Sequence, residues 1–210
     1  MSNKSVIERG DELKELTYWN HNTAYYKWIK RQVSDCDSIL DVGCGNGALI
    51  GFLDDGIKQF TGIDKDDFCI KTASETHSSP SVRFIYCDFM DYSPEESFNA
   101  IVFVASIHHM DMLSAIKKAK SLLSPNGILL IIGLADPSTL KDYIFAGWRL
   151  LPSMIVSKLK RMRSTEELNI PVSYDIPRLN EVREIVSSEL PHCSFRQGIF
   201  HRYLVKWQSG

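Results

Sequence analysis

In ILDVGCGNG, residues 39–47, an acid and three glycines stand at alternate positions: Asp41, Gly43, Gly45 and Gly47. A strand ending in such a turn lets backbone N–H groups and a helix start approach a ligand with no side chain in the way. A second acid, Asp64, closes the next apolar run in QFTGIDKDD (59–67). A carboxylate there accepts hydrogen bonds from two ribose hydroxyls. A third acid, Asp88 in YCDFMD (86–91), closes the run after that.

Two adjacent histidines, His108 and His109, end the apolar stretch FVASIHHMDM (103–112). Histidine's ordinary pKa of about 6.5 suits a general base for a hydroxyl or ammonium nucleophile. The structural alternative is a pair of wall residues, one packed on the ligand and the other capping the helix that starts near Asp111. In an extended segment adjacent side chains point in opposite directions, so one histidine is expected to face the pocket. No metal site is expected, since no other His/Cys cluster supplies further ligands.

These residues need a scaffold that brings strand ends together. SILDV (38–42), QFTGI (59–63), SVRFIY (81–86), FNAIVFVA (98–105) and GILLIIG (127–133) are short apolar runs, several nearly continuous. Such runs suit central parallel strands covered on both faces. Helical stretches separate them at 46–54, 66–75 and 111–123. In the last, Leu113, Ile116, Ala119 and Leu123 share a face, and Lys117, Lys118 and Lys120 face out. SPNG (124–127) is a turn. Alternating strands and helices predict an open α/β sheet with right-handed crossovers. Beyond residue 133, Asp136-Pro137 reads as an N-cap with Pro at the first helical position, and STEE (164–167) as a capping box. PRLNEVREIVSSEL (177–190) is an amphipathic helix carrying Leu179, Val182, Ile185, Val186 and Leu190, and the run at 193–207 is a hairpin around Gln197-Gly198.

The chain has 210 residues, enough for one well-buried domain. Its formal net charge of −2 gives no overall basic footprint, so no nucleic-acid partner is expected. Five cysteines without a CxxC pair argue against a disulfide scaffold or zinc ribbon and suit reduced thiols in the cytoplasm. The N-terminal stretch has no apolar signal region, and no run is long enough for stable membrane insertion.

Asp41-x-Gly43-x-Gly45-x-Gly47, the acids Asp64 and Asp88, and the turn-strand SPNGILLI together resemble the class I S-adenosylmethionine-dependent methyltransferase family. The resemblance covers roughly residues 35–133 and the hairpin 193–207. It implies a Rossmann-like three-layer α/β/α sandwich, with a seven-stranded, mostly parallel sheet whose last strand is antiparallel, the place of FHRYLVKW. It implies S-adenosyl-L-methionine as cofactor and S-adenosyl-L-homocysteine as product. By the same resemblance Asp41, Gly43, Gly45 and Gly47 line the methionine part of the cofactor. Asp64 holds the ribose, with Lys65 beside it; Asp88 meets the adenine amino group, with Phe89 beside the ring. Ala105 and Ser106 lie near the reactive methyl. YWNHNTAYYKWIKRQV (18–33) is similar to the leading helix of small, type 11-like bacterial methyltransferases, which implies that Trp19, Asn22 and Tyr25 close over the amino-acid end. An amphipathic helix packed on the sheet edge explains the same residues.

The expected organisation is a single domain over 1–210, with a helical cap at 11–33 and a helical lid at 137–175. The apolar lid (Tyr143, Phe145, Trp148, Leu150, Leu151, Met154, Ile155) suits a ligand-covering wall. Its basic end, Lys158, Lys160, Arg161 and Arg163, suits an anionic substrate, a membrane surface or simply a solvated helix face. No Asn/Asp-Pro-Pro-aromatic motif follows strand four, and no cysteine follows a proline, so a small-molecule methyl acceptor is expected. The chain is expected to be a monomer or homodimer. Two alternatives stay open: an NAD-type oxidoreductase, because Gly43-x-Gly45-x-x-Ala48 also satisfies a dinucleotide fingerprint, and a non-catalytic module that binds S-adenosylmethionine.

Overall fold

The computed structural model describes residues 21–138, 176–199 and 201–210. Trp19, the capping box at 164–167, the basic run ending at Arg163 and nearly all of the expected lid lie outside the described residues.

Seven strands form one sheet: β1 (Ser38–Val42), β2 (Gln59–Asp64), β3 (Val82–Tyr86), β4 (Phe98–Val104), β5 (Leu123–Leu134), β6 (Ser194–Gln197) and β7 (Arg202–Gln208). Their order is β3-β2-β1-β4-β5-β7-β6. The pairs from β3 to β5 are parallel, whereas β7 runs antiparallel to both β5 and β6. The Rossmann-like sandwich with an antiparallel last strand is thus present. The simplest dinucleotide fold, with order 3-2-1-4-5-6, has no such inserted hairpin strand.

The near-continuous apolar runs follow from burial on both sides. Along β1, Ile39 packs into one layer with Tyr26, Ile29, Leu49, Ile50, Ala100, Val102, Leu130 and Ile132. Leu40 and Val42 pack into the other with Ile101, Phe103, Leu129, Ile131, Val182, Val186 and Tyr203. Each fully buried Ile, Leu or Phe contributes about 2 kcal/mol. The first layer is covered by α1 (Tyr26–Gln32) and α2 (Ala48–Leu53), the second by α4 (Met112–Leu122) and α5 (Leu179–Glu189); α3 (Asp67–Thr76) follows β2.

Two local readings need correction. In α4 the buried stripe is Met112, Ala115, Ile116 and Ala119, continued by Leu123, while Leu113 is 37% exposed. The cap sets this phase: Asp111 accepts from the Ser114 backbone N–H at 2.8 Å, so Asp111, and neither histidine, caps the helix. Of its lysines, Lys118 and Lys120 turn back onto the protein, donating to the carbonyls of Met90 (2.6 Å) and Glu189 (2.8 Å). Asp136 is also differently employed. Its backbone N–H donates to Pro177 O at 3.0 Å and its carbonyl accepts from Leu179 N at 2.9 Å, tying the end of β5 to the start of α5.

The SPNG turn is present inside β5. Leu123 pairs with Phe98 and Ile128 with Ala100, so residues 124–127 loop out, with Asn126 at φ 60°.

Candidate functional site

The carboxyl ends of β1, β2 and β4 meet around the glycine turn, and the sheet changes direction between β1 and β4, the usual place for a ligand in this architecture. All three glycines have positive φ, each in different surroundings. A side chain at Gly43 would meet Ser106 Cβ at 2.4 Å, and one at Gly47 would meet Phe84 at 2.7 Å. At Gly45, with φ +53°, nothing lies within 4 Å of where a Cβ would stand. Gly43 and Gly47 therefore permit close packing, and Gly45 leaves the space for a ligand.

The turn does not offer the amide donors that its sequence suggests. Gly43 N and Cys44 N donate to Ile63 O (2.8 and 3.0 Å), Gly47 N donates to Cys44 O (3.0 Å), and Gly45 N donates to Asp64 Oδ2 (2.8 Å). The bonds to Ile63 and Asp64 stitch the turn to β2, and the Gly47–Cys44 bond closes the turn on itself. Asp64 also accepts from Asp66 N at 3.0 Å, so its carboxylate organises the turn as well as facing the groove. What the strand ends present is a pair of carboxyl groups, Asp41 and Asp64. Asp41 is 2% exposed, and burial together with the Asp64 charge raises its pKa to about 7. An acid-lined groove suits a cation and disfavours a pyrophosphate. S-adenosylmethionine carries a sulfonium and an ammonium group, so the residues present fit it better than a dinucleotide.

Asp88 lies exposed beyond β3, its Oδ1 accepting from Met90 N at 2.8 Å. Phe89 departs from expectation. It is 3% exposed and packs edge-on against Phe103, ring centroids 5.4 Å apart. The turn around Asp88, whose carbonyl accepts from Asp91 N and Tyr92 N, directs Phe89 into the core and away from an adenine ring. Two aromatics that the sequence reading missed stand near the Asp64 and Asp88 positions instead: Tyr86, 62% exposed and in register with Asp64, and Phe68, 68% exposed in the first turn of α3. A signal was available in two large aromatics beside strand-end acids. Lys65 is exposed next to Asp64.

At the end of β4, Ala105 adopts φ 54°, uncommon for a residue with a side chain. It swings Ser106 beneath Gly43, where the Ser106 hydroxyl donates to Val42 O. Ser106 is buried and serves this join. Ile107–His109 is then a 3-10 turn. The expectation of opposed histidines assumed extended chain; in the tight turn the two rings lie 4.2 Å apart at 36°. Burial, then the neighbouring His109 and Arg202, push the His108 pKa down to about 4. His108 Nδ1 is buried without a hydrogen-bond partner. His109 is exposed; partial burial and Lys65 lower its pKa against the opposing pull of Asp64. The charges of Lys65 and Asp64 thus reach His109, and that of Arg202 reaches His108.

Asn22 and Tyr25 both bond to the terminal hairpin. Asn22 Oδ1 accepts from Arg202 Nη2 at 2.7 Å, and the Tyr25 hydroxyl donates to Ile199 O at 2.7 Å. Both tie the leading segment to the terminal hairpin, which is the packing alternative. Arg202 carried no sequence signal: it reads as an ordinary polar position in an alternating strand. Among the described residues no cluster of His, Cys, Asp and Glu has metal-binding geometry, and no helix is long and apolar enough to cross a membrane.

Fold and site define a class I methyltransferase architecture around an acid-lined groove. Residues 39–127 match a family model described as a methyltransferase domain. An uncharacterized methyltransferase of Mycobacterium tuberculosis is 28% identical over 195 residues, covering 91% of this chain and 97% of that protein. Among solved structures, the N-methyltransferase NodS of Bradyrhizobium japonicum WM9 with S-adenosyl-L-homocysteine superposes with a TM-score of 0.62 at 17% identity, over 96% of this chain and 97% of that one. The plantazolicin methyltransferase BpumL, bound to a monoazolic desmethylPZN analog and S-adenosylhomocysteine, gives 0.61 at 17% identity, over 99% and 90%. At such identities the two structures speak for the fold. Matched domain, relatives and fold together support a class I S-adenosylmethionine-dependent methyltransferase, an enzyme with S-adenosylmethionine as cofactor.

Proposed function

We propose that the chain transfers the cofactor's methyl group to a small-molecule acceptor docked over the ends of β4, β5 and β7. The observation that carries this reading is the division of the rim by charge. Asp41 and Asp64 stand at β1 and β2; the cation Arg202 opens β7, with the neutral His108 and His109 beyond β4. When bound, S-adenosylmethionine supplies an electrophilic methyl on a sulfonium centre. Asp41 and Asp64 attract and orient its positive end, Gly45 leaves room for it, and Asp88, with Tyr86 and Phe68 nearby, receives the adenine. Ala105 and Ser106 fix where β4 stops, and so where an acceptor meets the methyl. Methyl transfer is chiefly alignment, with proton removal needed only for a protonated nucleophile. His109 fits that task, being exposed and neutral at pH 7. His108, buried with a pKa of about 4, is the weaker base and forms the wall.

The residues after β4, which form a histidine turn in place of an Asn/Asp-Pro-Pro-aromatic motif, further support a small acceptor. Incubation of the protein with methyl-labelled cofactor and cell extract, followed by size fractionation and mass spectrometry, tests it. Label is expected below about 2 kDa, in a single compound class. Label confined to RNA or protein would overturn the acceptor class. Transfer that requires a second added protein would favour the non-catalytic module.

A further inference from the structure

Resting on that reading, we infer that the acceptor carries an oxyanion, a carboxylate or phosphate, held by the guanidinium of Arg202 with His108 beside it. Arg202 opens β7 opposite Leu134, the last residue of β5. Its side chain shares a face with Leu204 and Lys206, the face under the leading helix, where Lys206 Nζ donates to Gln32. Nη2 donates to Asn22, a neutral partner, and Nε is buried with no partner. Among the described residues no carboxylate pairs with it; the ion pairs there join Lys117 and Lys120 to Glu189. Burial lowers the Arg202 pKa to about 10, so the group remains a cation at neutral pH.

A part-buried guanidinium without a counter-charge is destabilising, and a bound anion would remove that cost. His108 Nδ1 is another buried polar atom left unbonded, and it lies near enough for the Arg202 charge to depress its pKa. His108 follows β4 and Arg202 stands beside the end of β5, so both unbonded atoms belong to the strand ends over which the acceptor is proposed to dock. The cofactor's own carboxylate is the other possible source of the anion. However, β7 stands three strand spacings from β1, roughly 14 Å. The acceptor side is closer to Arg202.

The test uses the purified full chain and calorimetric binding. Probes are malonate, benzoate and inorganic phosphate against their neutral counterparts malonamide and benzamide, each with and without saturating S-adenosylhomocysteine. The expected result is binding of at least one anion with S-adenosylhomocysteine present, no binding of the amides, and at least tenfold weaker anion binding in Arg202→Met. Asn22→Asp, which supplies the missing carboxylate within the protein, should weaken it similarly; this variant decides the matter if Arg202→Met does not fold. S-adenosylhomocysteine affinity should stay within about twofold in both. The inference is overturned if wild type binds none of the anions, or if both variants bind them normally. It is also overturned if Arg202→Met loses tenfold or more in S-adenosylhomocysteine affinity while its decarboxylated analogue binds both proteins alike, since the guanidinium then serves the cofactor. Failure of wild type to bind S-adenosylhomocysteine, with anion binding intact, would count against the cofactor reading alone.

Discussion

Replacing Asp41 by Asn should change how stability depends on pH. In the folded chain the Asp41 pKa is raised to about 7, first by burial and then by the negative charge of Asp64. In the unfolded chain it returns to about 3.9. The folded state therefore holds the proton more tightly, and the site's contribution is fully present below pH 4 and lost as pH rises through 7. Linkage puts the loss at about 1.5 kcal/mol at pH 5 and about 4 kcal/mol at pH 8. Asn cannot ionise, so it retains the shape without this slope. Denaturant unfolding of both proteins at pH 5, 6, 7 and 8 isolates the site, because other titrating groups cancel in the difference. The Asn variant should gain about 2.5 kcal/mol relative to wild type between pH 5 and pH 8. Asp64→Asn in the wild-type background should shrink the slope, since it removes the second cause. A stability difference that stays constant across this range would refute the assignment of Asp41 as a buried, protonated acid.

Several further outcomes follow from the same geometry. S-adenosylhomocysteine keeps the ammonium group, so its affinity should rise through pH 7 as Asp41 ionises and stay flat in Asp41→Asn; titration calorimetry at pH 6 and 8 checks this. Gly43→Ala combines φ +70° with a 2.4 Å approach to Ser106 Cβ and should cost about 3 kcal/mol or prevent folding, whereas Gly45→Ala, with open space, should cost about 1 kcal/mol and chiefly weaken cofactor binding. Tyr203 buries a hydroxyl with no partner, so Tyr203→Phe should be neutral or stabilising by about 1 kcal/mol, measured by denaturant unfolding. In an NMR titration the His108 ring should remain neutral down to about pH 4, with no change between pH 6 and 8.

The parts legible in the sequence are those fixed by local chemistry or by burial on both faces. The central strands announce themselves because Ile101, Val102 and Phe103 are all buried, whichever way they point. The glycine turn is legible because only glycine readily tolerates three positive φ angles in five residues. What the turn does is not legible, since the carbonyl of Ile63 and the carboxylate of Asp64 arrive from the neighbouring strand and take up its amides. Phe89 misleads for a related reason: one hydrogen-bonded turn at Asp88 decides whether the next ring faces the groove or Phe103. The histidine pair depends on whether β4 continues or tightens after Ala105, and a single left-handed residue settles it. Leu113 lost its place to Met112 because the Asp111 cap fixes the helix phase.

Arg202 is invisible for the strongest reason: its significance is the absence of a counter-charge among the described residues, which only tertiary structure can show. With it in place, the rim has two ends of opposite sign, and they titrate in different ranges. Asp41 changes charge near pH 7, and Arg202 holds its charge to about pH 10. Raising the pH from 6 to 8 should therefore strengthen attraction for a cation at the β1 end and leave attraction for an anion at the β7 end unchanged. A fully ionised carboxylate acceptor would then respond to pH only through the cofactor bound beside it.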